Sequence, residues 1–135
     1  MYLVETWLSD DVLDSEVAIH NYYSLIRLDR NRHGGGVAIY VHNCVLYSIV
    51  LSGAAELELI IVSRCKPGFK LCLGVFYRPP SSHSSIFDNL CETLLSVDQT
   101  HFSNFVLLGD FNANFCETPP LYSHICNLMT SYSLT

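Results

Sequence analysis

The 135-residue sequence predicts an α/β (α+β) fold in which a mixed sheet is covered by helices. Short apolar runs separated by hairpin-type turns fill the first half of the chain, and a strand–helix–strand pattern follows. Hairpins build antiparallel pairs, whereas a helical crossover brings two strands parallel. Half of the residues (50%) are hydrophobic, which is enough for a sizeable core. We therefore predict a single domain spanning residues 1–135.

The elements follow from runs of β-branched, aromatic and aliphatic residues bounded by turn residues. The predicted strands are Tyr2–Val4, Tyr22–Leu28, Val37–Val41, Cys44–Leu51, Leu57–Ser63, Lys70–Tyr77 and Phe105–Leu108. Turns are predicted at residues 29–36, 52–55 and 66–68, where Gly, Pro, Asn or Ser residues collect. Pro79 and Pro80 end the sixth strand, because proline cannot donate a hydrogen bond to a sheet.

Two helices are predicted in the second half. The first spans Ser85–Val97, because apolar residues recur there at helical spacing, and Ser85 with Asp88 resembles a capping box. The second begins near Pro119 or Pro120. Its inner side consists of Leu121, Ile125, Leu128, Met129 and Tyr132.

Charge and composition restrict the class of partner. The formal net charge is -6, unlike the basic balance of a protein that grips nucleic acid through charge alone. An acidic pocket that recruits a divalent cation is compatible with this balance. No signal peptide and no apolar run near the ~20 residues of a membrane helix are found. We therefore expect a soluble, intracellular protein without a membrane partner.

The six cysteines form no C-x-x-C pair, and most lie in apolar runs. We expect reduced, buried thiols that act as small hydrophobic residues. A zinc site from Cys116, His124 and Cys126 is the alternative, but the spacing of these residues fits no standard pattern.

Three strands end in polar residues that suit phosphate chemistry. Glu5 follows the first strand, Tyr77 ends the sixth, and Asp110 and Asn112 follow the seventh. If these ends meet at one edge of the sheet, carboxylates can bind Mg²⁺ and activate water, while a phenol and an amide hold phosphate oxygens. Each residue also has a structural interpretation: Asp110 and Asn112 as turn formers, Glu5 as a solvated charge, and Tyr77 as a packed aromatic residue.

Other polar residues carry weaker signals. The run Gly34–Gly36 predicts a hairpin turn and no phosphate-binding loop, because a strand follows it and no Lys-Ser/Thr pair does. Arg30 and Arg32 beside this turn, together with Arg78, are candidates for contacts with a nucleic-acid backbone, although a solvated turn explains the first two equally well. Glu56 and Glu58 are predicted to be surface or edge charges.

Taken in order, five motifs resemble the endonuclease domain of LINE-type (non-LTR) retrotransposons, a member of the endonuclease/exonuclease/phosphatase superfamily. The motifs are E-T-W-L at 5–8, R-N-R-H-G-G-G-V-A-I-Y-V at 30–41, E-L-E-L-I-I-V at 56–62, F-Y-R-P-P at 76–80 and V-L-L-G-D-F-N at 106–112. The resemblance implies a four-layer α/β sandwich with two packed sheets. It also implies a DNA substrate, nuclear access, Mg²⁺ (or Mn²⁺) and no small-molecule cofactor. In such retrotransposons the nick primes reverse transcription.

The resemblance also implies roles for individual residues. Glu5 would bind the metal, supported by Thr6 and Trp7. Tyr77 would hydrogen-bond the scissile phosphate. Asp110 would position or activate the attacking water, and Asn112 would orient that aspartate.

The family pattern further includes an asparagine strand before E-T-W-L and a closing Asp-His motif, and neither is present. We therefore expect an incomplete domain that is poorly soluble and inactive by itself. Two other functions stay open: a non-catalytic remnant that binds nucleic acid or protein, and a phosphatase of the same superfamily.

Overall fold

The computed structural model describes residues 1–31, 33–54, 56–97 and 104–113, and the single positions Ser123 and Asn127. Seven strands and one helix lie in the four continuous ranges. They are β1 (Tyr2–Val4), β2 (Ile26–Leu28), β3 (Val37–Ile39), β4 (Ser48–Ala54), β5 (Leu57–Lys66), β6 (Phe69–Tyr77), α1 (Ile86–Ser96) and β7 (Asn104–Asp110).

The strands form two sheets. Sheet one has the order β1-β3-β2 and is antiparallel throughout. Sheet two has the order β4-β5-β6-β7, in which only the β6/β7 pair is parallel. A parallel pair requires a crossover connection, and α1 lies between these two strands in the sequence. The predicted α+β class with a mixed sheet is confirmed.

β5 is the centre of the fold because both of its faces are covered. Ile60 and Val62 pack towards sheet one, whereas Leu59 and Ile61 pack towards α1. The core between the sheets consists of Ile26, Val37, Ile39, Ile60, Val62, Val75 and Tyr77. Burial on both faces explains the continuous apolar run at residues 59–62 of β5.

The outer faces of the sheets are covered differently. Ile86, Phe87, Leu90 and Leu94 of α1 are buried against sheet two. On the outer side of sheet one, Ala38 of β3 is buried together with Leu25 and Tyr40, and the partly buried residues 8, 17 and 22 pack against them. No helix in the described part of the chain is long and apolar enough to span a membrane.

Several predicted strand bounds differ from the observed ones. The strand predicted from Tyr22 begins only at Ile26, because Tyr22 forms an isolated bridge with His42. The strand predicted at Cys44–Leu51 begins only at Ser48. It continues through residues 52–54, which were predicted to form a turn. Register shifts in this part of β4 keep it paired with β5. Glycine at position 53 permits this irregular pairing.

The predicted helix and the cysteines also need corrections. Helix α1 is confirmed, but the Ser85 side chain makes no capping hydrogen bond, because Ser85 itself has helical dihedral angles. Cys44 and Cys65 are exposed, and among the described cysteines only Cys72 is fully buried. The alternative zinc site lies outside the described residues. The second predicted helix lies outside them too, apart from Ser123 and Asn127, which are helical.

Candidate functional site at the strand ends

Strands from both sheets end at the same edge of the molecule. β6 and β7 run parallel with Tyr77 opposite Asp110, so their last residues are neighbours. β1 contacts both strands from the other sheet. Glu5 directly follows β1. We name Glu5, Tyr77, Asp110 and Asn112 the strand-end cluster.

A direct hydrogen bond joins the two sheets within this cluster. The Tyr77 phenol donates to Oε1 of Glu5. Tyr77 is only 1% exposed, whereas Glu5 is open to solvent. Burial, followed by the hydrogen bond to Glu5, raises the pKa of Tyr77 to about 12. Tyr77 is therefore a neutral hydrogen-bond donor at physiological pH.

The turn before β3 holds the backbone around Glu5. Glu5 has φ 52, a left-handed conformation that is uncommon outside glycine. The Thr6 N–H donates to the Gly36 carbonyl at 3.3 Å. The Trp7 N–H donates to the Gly35 carbonyl at 3.1 Å. Thr6 and Trp7 thus support Glu5 through the main chain, while the Trp7 side chain itself is 55% exposed.

The G-D-F-N loop is closed by its own hydrogen bonds. Gly109 lets β7 approach β6, because a Cβ there would overlap the Phe76 carbonyl. Asp110 Oδ1 accepts the Asn112 N–H at 2.9 Å, which forms an Asx-type turn. Asn112 Nδ2 donates to the Arg78 carbonyl at 2.7 Å. The two residues are therefore turn formers, and the turn keeps them at the strand ends.

Arg78 folds back onto this loop. Its guanidinium donates to the carbonyls of Asn112 and Ser82, each at 2.6 Å. It also lies 5.4 Å from the ring centre of Phe87, and its backbone N–H donates to the Asp110 carbonyl at 2.9 Å. Arg78 therefore connects the ends of β6 and β7, and its contact with nucleic acid stays a prediction.

Arg30 lies beside the glycine turn. Its Nη1 is 3.3 Å from Oε1 of Glu58, and its Nε donates to the Gly34 carbonyl at 3.2 Å. Both contacts are internal, so contact with a nucleic-acid backbone stays a prediction for Arg30 as well. Arg32, the other basic candidate, lies outside the described residues.

Glu58 is the polar residue that sequence reasoning misplaced. It was predicted to be a surface or edge charge, but it is 8% exposed. It accepts a hydrogen bond from the Gly36 N–H and pairs with Arg30. The prediction is wrong because β5 is covered on both faces. Strand alternation was the available signal, since it places Glu58 on the same face as Ile60 and Val62.

The cluster offers carboxylate oxygens, the type of ligand that a hard cation prefers. No group of three or more His, Cys, Asp and Glu side chains that could hold a metal occurs among the described residues. Mg²⁺, however, binds through one or two carboxylates and keeps several water ligands. Glu5 is exposed and directly follows β1. β1 contacts β7, the strand that ends at Asp110. A solvent-exposed carboxylate such as Glu5 is the type of ligand that a largely hydrated divalent cation uses.

Chemically, the cluster combines two carboxylates, one neutral phenol and one carboxamide. Carboxylates can bind a cation or orient water, and the two neutral groups can hold anionic oxygens without adding charge. No protein-family model matches the chain. A search among curated proteins finds no match either.

Proposed function

We propose that the strand-end cluster is the phosphodiester-hydrolysing centre of a Mg²⁺-dependent DNA endonuclease-like domain. The proposed type is the endonuclease/exonuclease/phosphatase sandwich of LINE-type retrotransposons. The observation that carries the proposal is the Glu5–Tyr77 hydrogen bond, formed across 72 positions of the chain. It joins a solvent-exposed carboxylate of one sheet to a buried phenol of the other, and Tyr77 lies opposite Asp110.

Each residue has a role in this proposal. Glu5 binds Mg²⁺, which when bound stabilises negative charge on a phosphate oxygen. Asp110 orients or deprotonates the attacking water, and Asn112 holds Asp110 through their shared turn. Tyr77 donates to a phosphate oxygen, because a tyrosine phenol keeps its proton at neutral pH. The Tyr77 phenol has a single proton to donate. When substrate binds, the acceptor of this hydrogen bond therefore changes from Glu5 to a phosphate oxygen.

A non-catalytic domain that binds nucleic acid or protein is the second candidate. One observation bears on its partner: the guanidinium of Arg78, a candidate for contact with nucleic acid, is engaged with backbone carbonyls, which favours a protein partner over a nucleic acid. A superfamily phosphatase is the third candidate, in which the same cluster would act on a small phosphorylated ligand. The three candidates differ in what they bind and what they cleave.

Metal binding is the first test. Mn²⁺ titration followed by electron paramagnetic resonance should show a site that Glu5→Ala weakens about tenfold or more, as expected for loss of a direct ligand. Glu56→Ala is the matched control, because Glu56 is an exposed glutamate two residues before Glu58, the register partner of Tyr77. Equal affinity in the chain and in Glu5→Ala would contradict the proposed role of Glu5.

Plasmid nicking with Mg²⁺ is the second test, and it also tests the expectation that the chain is inactive by itself. Nicking that a chelator stops and that falls at least about a hundredfold in Asp110→Ala would overturn the expected inactivity and support the proposed centre. Absence of both Mn²⁺ binding and nicking favours the non-catalytic candidate, and release of phosphate from p-nitrophenyl phosphate favours the phosphatase. Nicking that survives both Glu5→Ala and Asp110→Ala would reflect a contaminant.

A further inference from the structure

We infer that Glu58 is a positioning residue that orients Glu5 through the glycine turn Gly34–Gly36, an inference that rests on the proposed function of the strand-end cluster. Glu58 belongs to sheet two, whereas Glu5 follows the edge strand of sheet one. Glu58 Oε2 accepts the N–H of Gly36. The first step of the connection therefore runs from a buried carboxylate to the turn.

The turn is shaped around the ion pair of Glu58 with Arg30. Arg30 Nη1 lies 3.3 Å from Glu58 Oε1, and its Nε donates to the Gly34 carbonyl at 3.2 Å. A Cβ at Gly35 would lie 2.7 Å from Arg30 Nε and 2.8 Å from Glu58 Oε2. With φ +77 as well, this position accepts only glycine without strain.

The second step runs from the turn to the segment after Glu5. The Gly36 and Gly35 carbonyls accept the N–H groups of Thr6 and Trp7, at 3.3 and 3.1 Å. Glu5 itself has a left-handed φ of 52, which needs such support from its surroundings. When the buried carboxylate is removed, the turn loses its anchor and Glu5 loses its fixed orientation.

Packing alone does not explain a carboxylate at this place. Glu58 shares its strand face with Ile60 and Val62, which line the core between the sheets. Replacing a buried ion pair by apolar residues is often neutral or stabilising, whereas removing one partner is destabilising. An apolar side chain at position 58 would fill the same space but would not hold the Gly36 N–H. The carboxylate therefore serves the turn.

The experiment compares Glu58→Ala and Glu58→Gln with the exposed control Glu56→Gln. Trp7 is the single tryptophan of the chain, so acrylamide quenching of its fluorescence reports on the segment after Glu5 without any metal. We expect Glu58→Ala to increase quenching and to weaken Mn²⁺ binding about ten- to a hundredfold, with circular dichroism unchanged. Glu58→Gln keeps an acceptor for Gly36 and should recover part of both effects.

Each outcome has a defined meaning. Folded Glu58 variants that keep the original quenching and Mn²⁺ affinity overturn the inference. Loss of fold in both variants assigns Glu58 to stability alone and overturns it as well. If the unsubstituted chain binds no Mn²⁺, the proposed function fails. In that case, Trp7 quenching that increases in Glu58→Ala and returns part of the way to the original value in Glu58→Gln still supports the connection to Glu5.

Discussion

At the scale of single residues, buried polar groups explain how the candidate site is held. Tyr77 and Glu58 are register partners on β6 and β5, and both are buried. Each has a charged or polar partner, because a buried group without one is strongly destabilising. Tyr77 donates to Glu5, and Glu58 accepts from the turn before β3. These contacts determine side-chain orientation as well as stability.

Gly35→Ala tests the crowding at the turn. We expect it to lower the free energy of unfolding by about 3 kcal/mol, because a Cβ adds a collision with Glu58 and Arg30 to the strain of a positive φ. Gly68→Ala is the matched control, with φ +75 and nothing within 4 Å of the added Cβ. It should lower stability by only about 1 kcal/mol. Urea unfolding measures both; equal losses would disprove the collision.

Cys72 predicts a stability change at alkaline pH. Burial raises the pKa of this thiol from 9.0 to about 12, with a smaller effect from Cys65. The folded state therefore retains the proton longer than the unfolded state. The associated stability is complete below pH 9 and is lost as the pH rises towards 12.

The measurement is urea unfolding in reducing buffer across this pH range. The unfolding free energy of the chain should fall by up to about 1.4 kcal/mol per pH unit more than that of Cys72→Ala. The exposed Cys65→Ala should keep most of the steeper slope. Parallel pH profiles for the chain and Cys72→Ala would rule out this origin of alkaline instability.

At the scale of elements, α1 and the loops at the strand ends keep β6 and β7 parallel. The apolar face of α1 packs on Phe76 and on the β5 residues that face away from sheet one. Arg78 connects the two strand ends through the carbonyl of Asn112 and lies over the ring of Phe87 in α1. Helix packing and the candidate site therefore share residues.

Leu90→Ala tests the packing of α1. Leu90 is 1% exposed, so its truncation should lower the free energy of unfolding by about 2–5 kcal/mol. Leu95 belongs to the same helix but is 63% exposed, and Leu95→Ala should change stability by less than about 0.5 kcal/mol. Thermal and urea unfolding measure both. Similar losses in the two variants would contradict the observed orientation of α1.

At the scale of the whole molecule, the sheets have edges that carry exposed apolar residues. β4 is at the edge of sheet two among the described strands. Leu46, Ile49 and Val50 are exposed on or beside it. Exposed edges can pair with other chains, although the register shifts in β4 reduce this tendency. Self-association at this edge is a reason to expect the poor solubility inferred from the sequence.

Ile49→Lys tests this edge. Ile49 is 53% exposed, and a lysine on an edge strand opposes pairing with another chain. We expect lower light scattering at high protein concentration and unchanged secondary structure. Leu95→Lys, at a similarly exposed position on α1, should have a smaller effect because a helix surface offers no strand edge. Equal effects of the two substitutions would point to general charge repulsion.

The candidate site could be predicted in part. Glu5, Tyr77, Asp110 and Asn112 each end or follow an apolar run, and that local pattern selected them as candidates, while their roles stay predictions. The burial of Glu58 was missed although alternation places it on the face of Ile60 and Val62, because its partner Arg30 and the sheet that covers it come from a distant part of the chain. The internal engagement of Arg78 was missed for a related reason: it depends on carbonyls 34 and 4 positions away along the chain.

Local sequence pattern therefore determined the strand and helix types, the mixed sheet and the polar residues at the strand ends. Only the tertiary structure decided that β1 lies against β6 and β7, so that Glu5 meets Tyr77. It also decided that the glycine turn of one sheet is anchored by Glu58 of the other. The physical reason is range: strand propensity depends on neighbouring residues, whereas burial and polar pairing depend on surfaces brought together from distant parts of the chain.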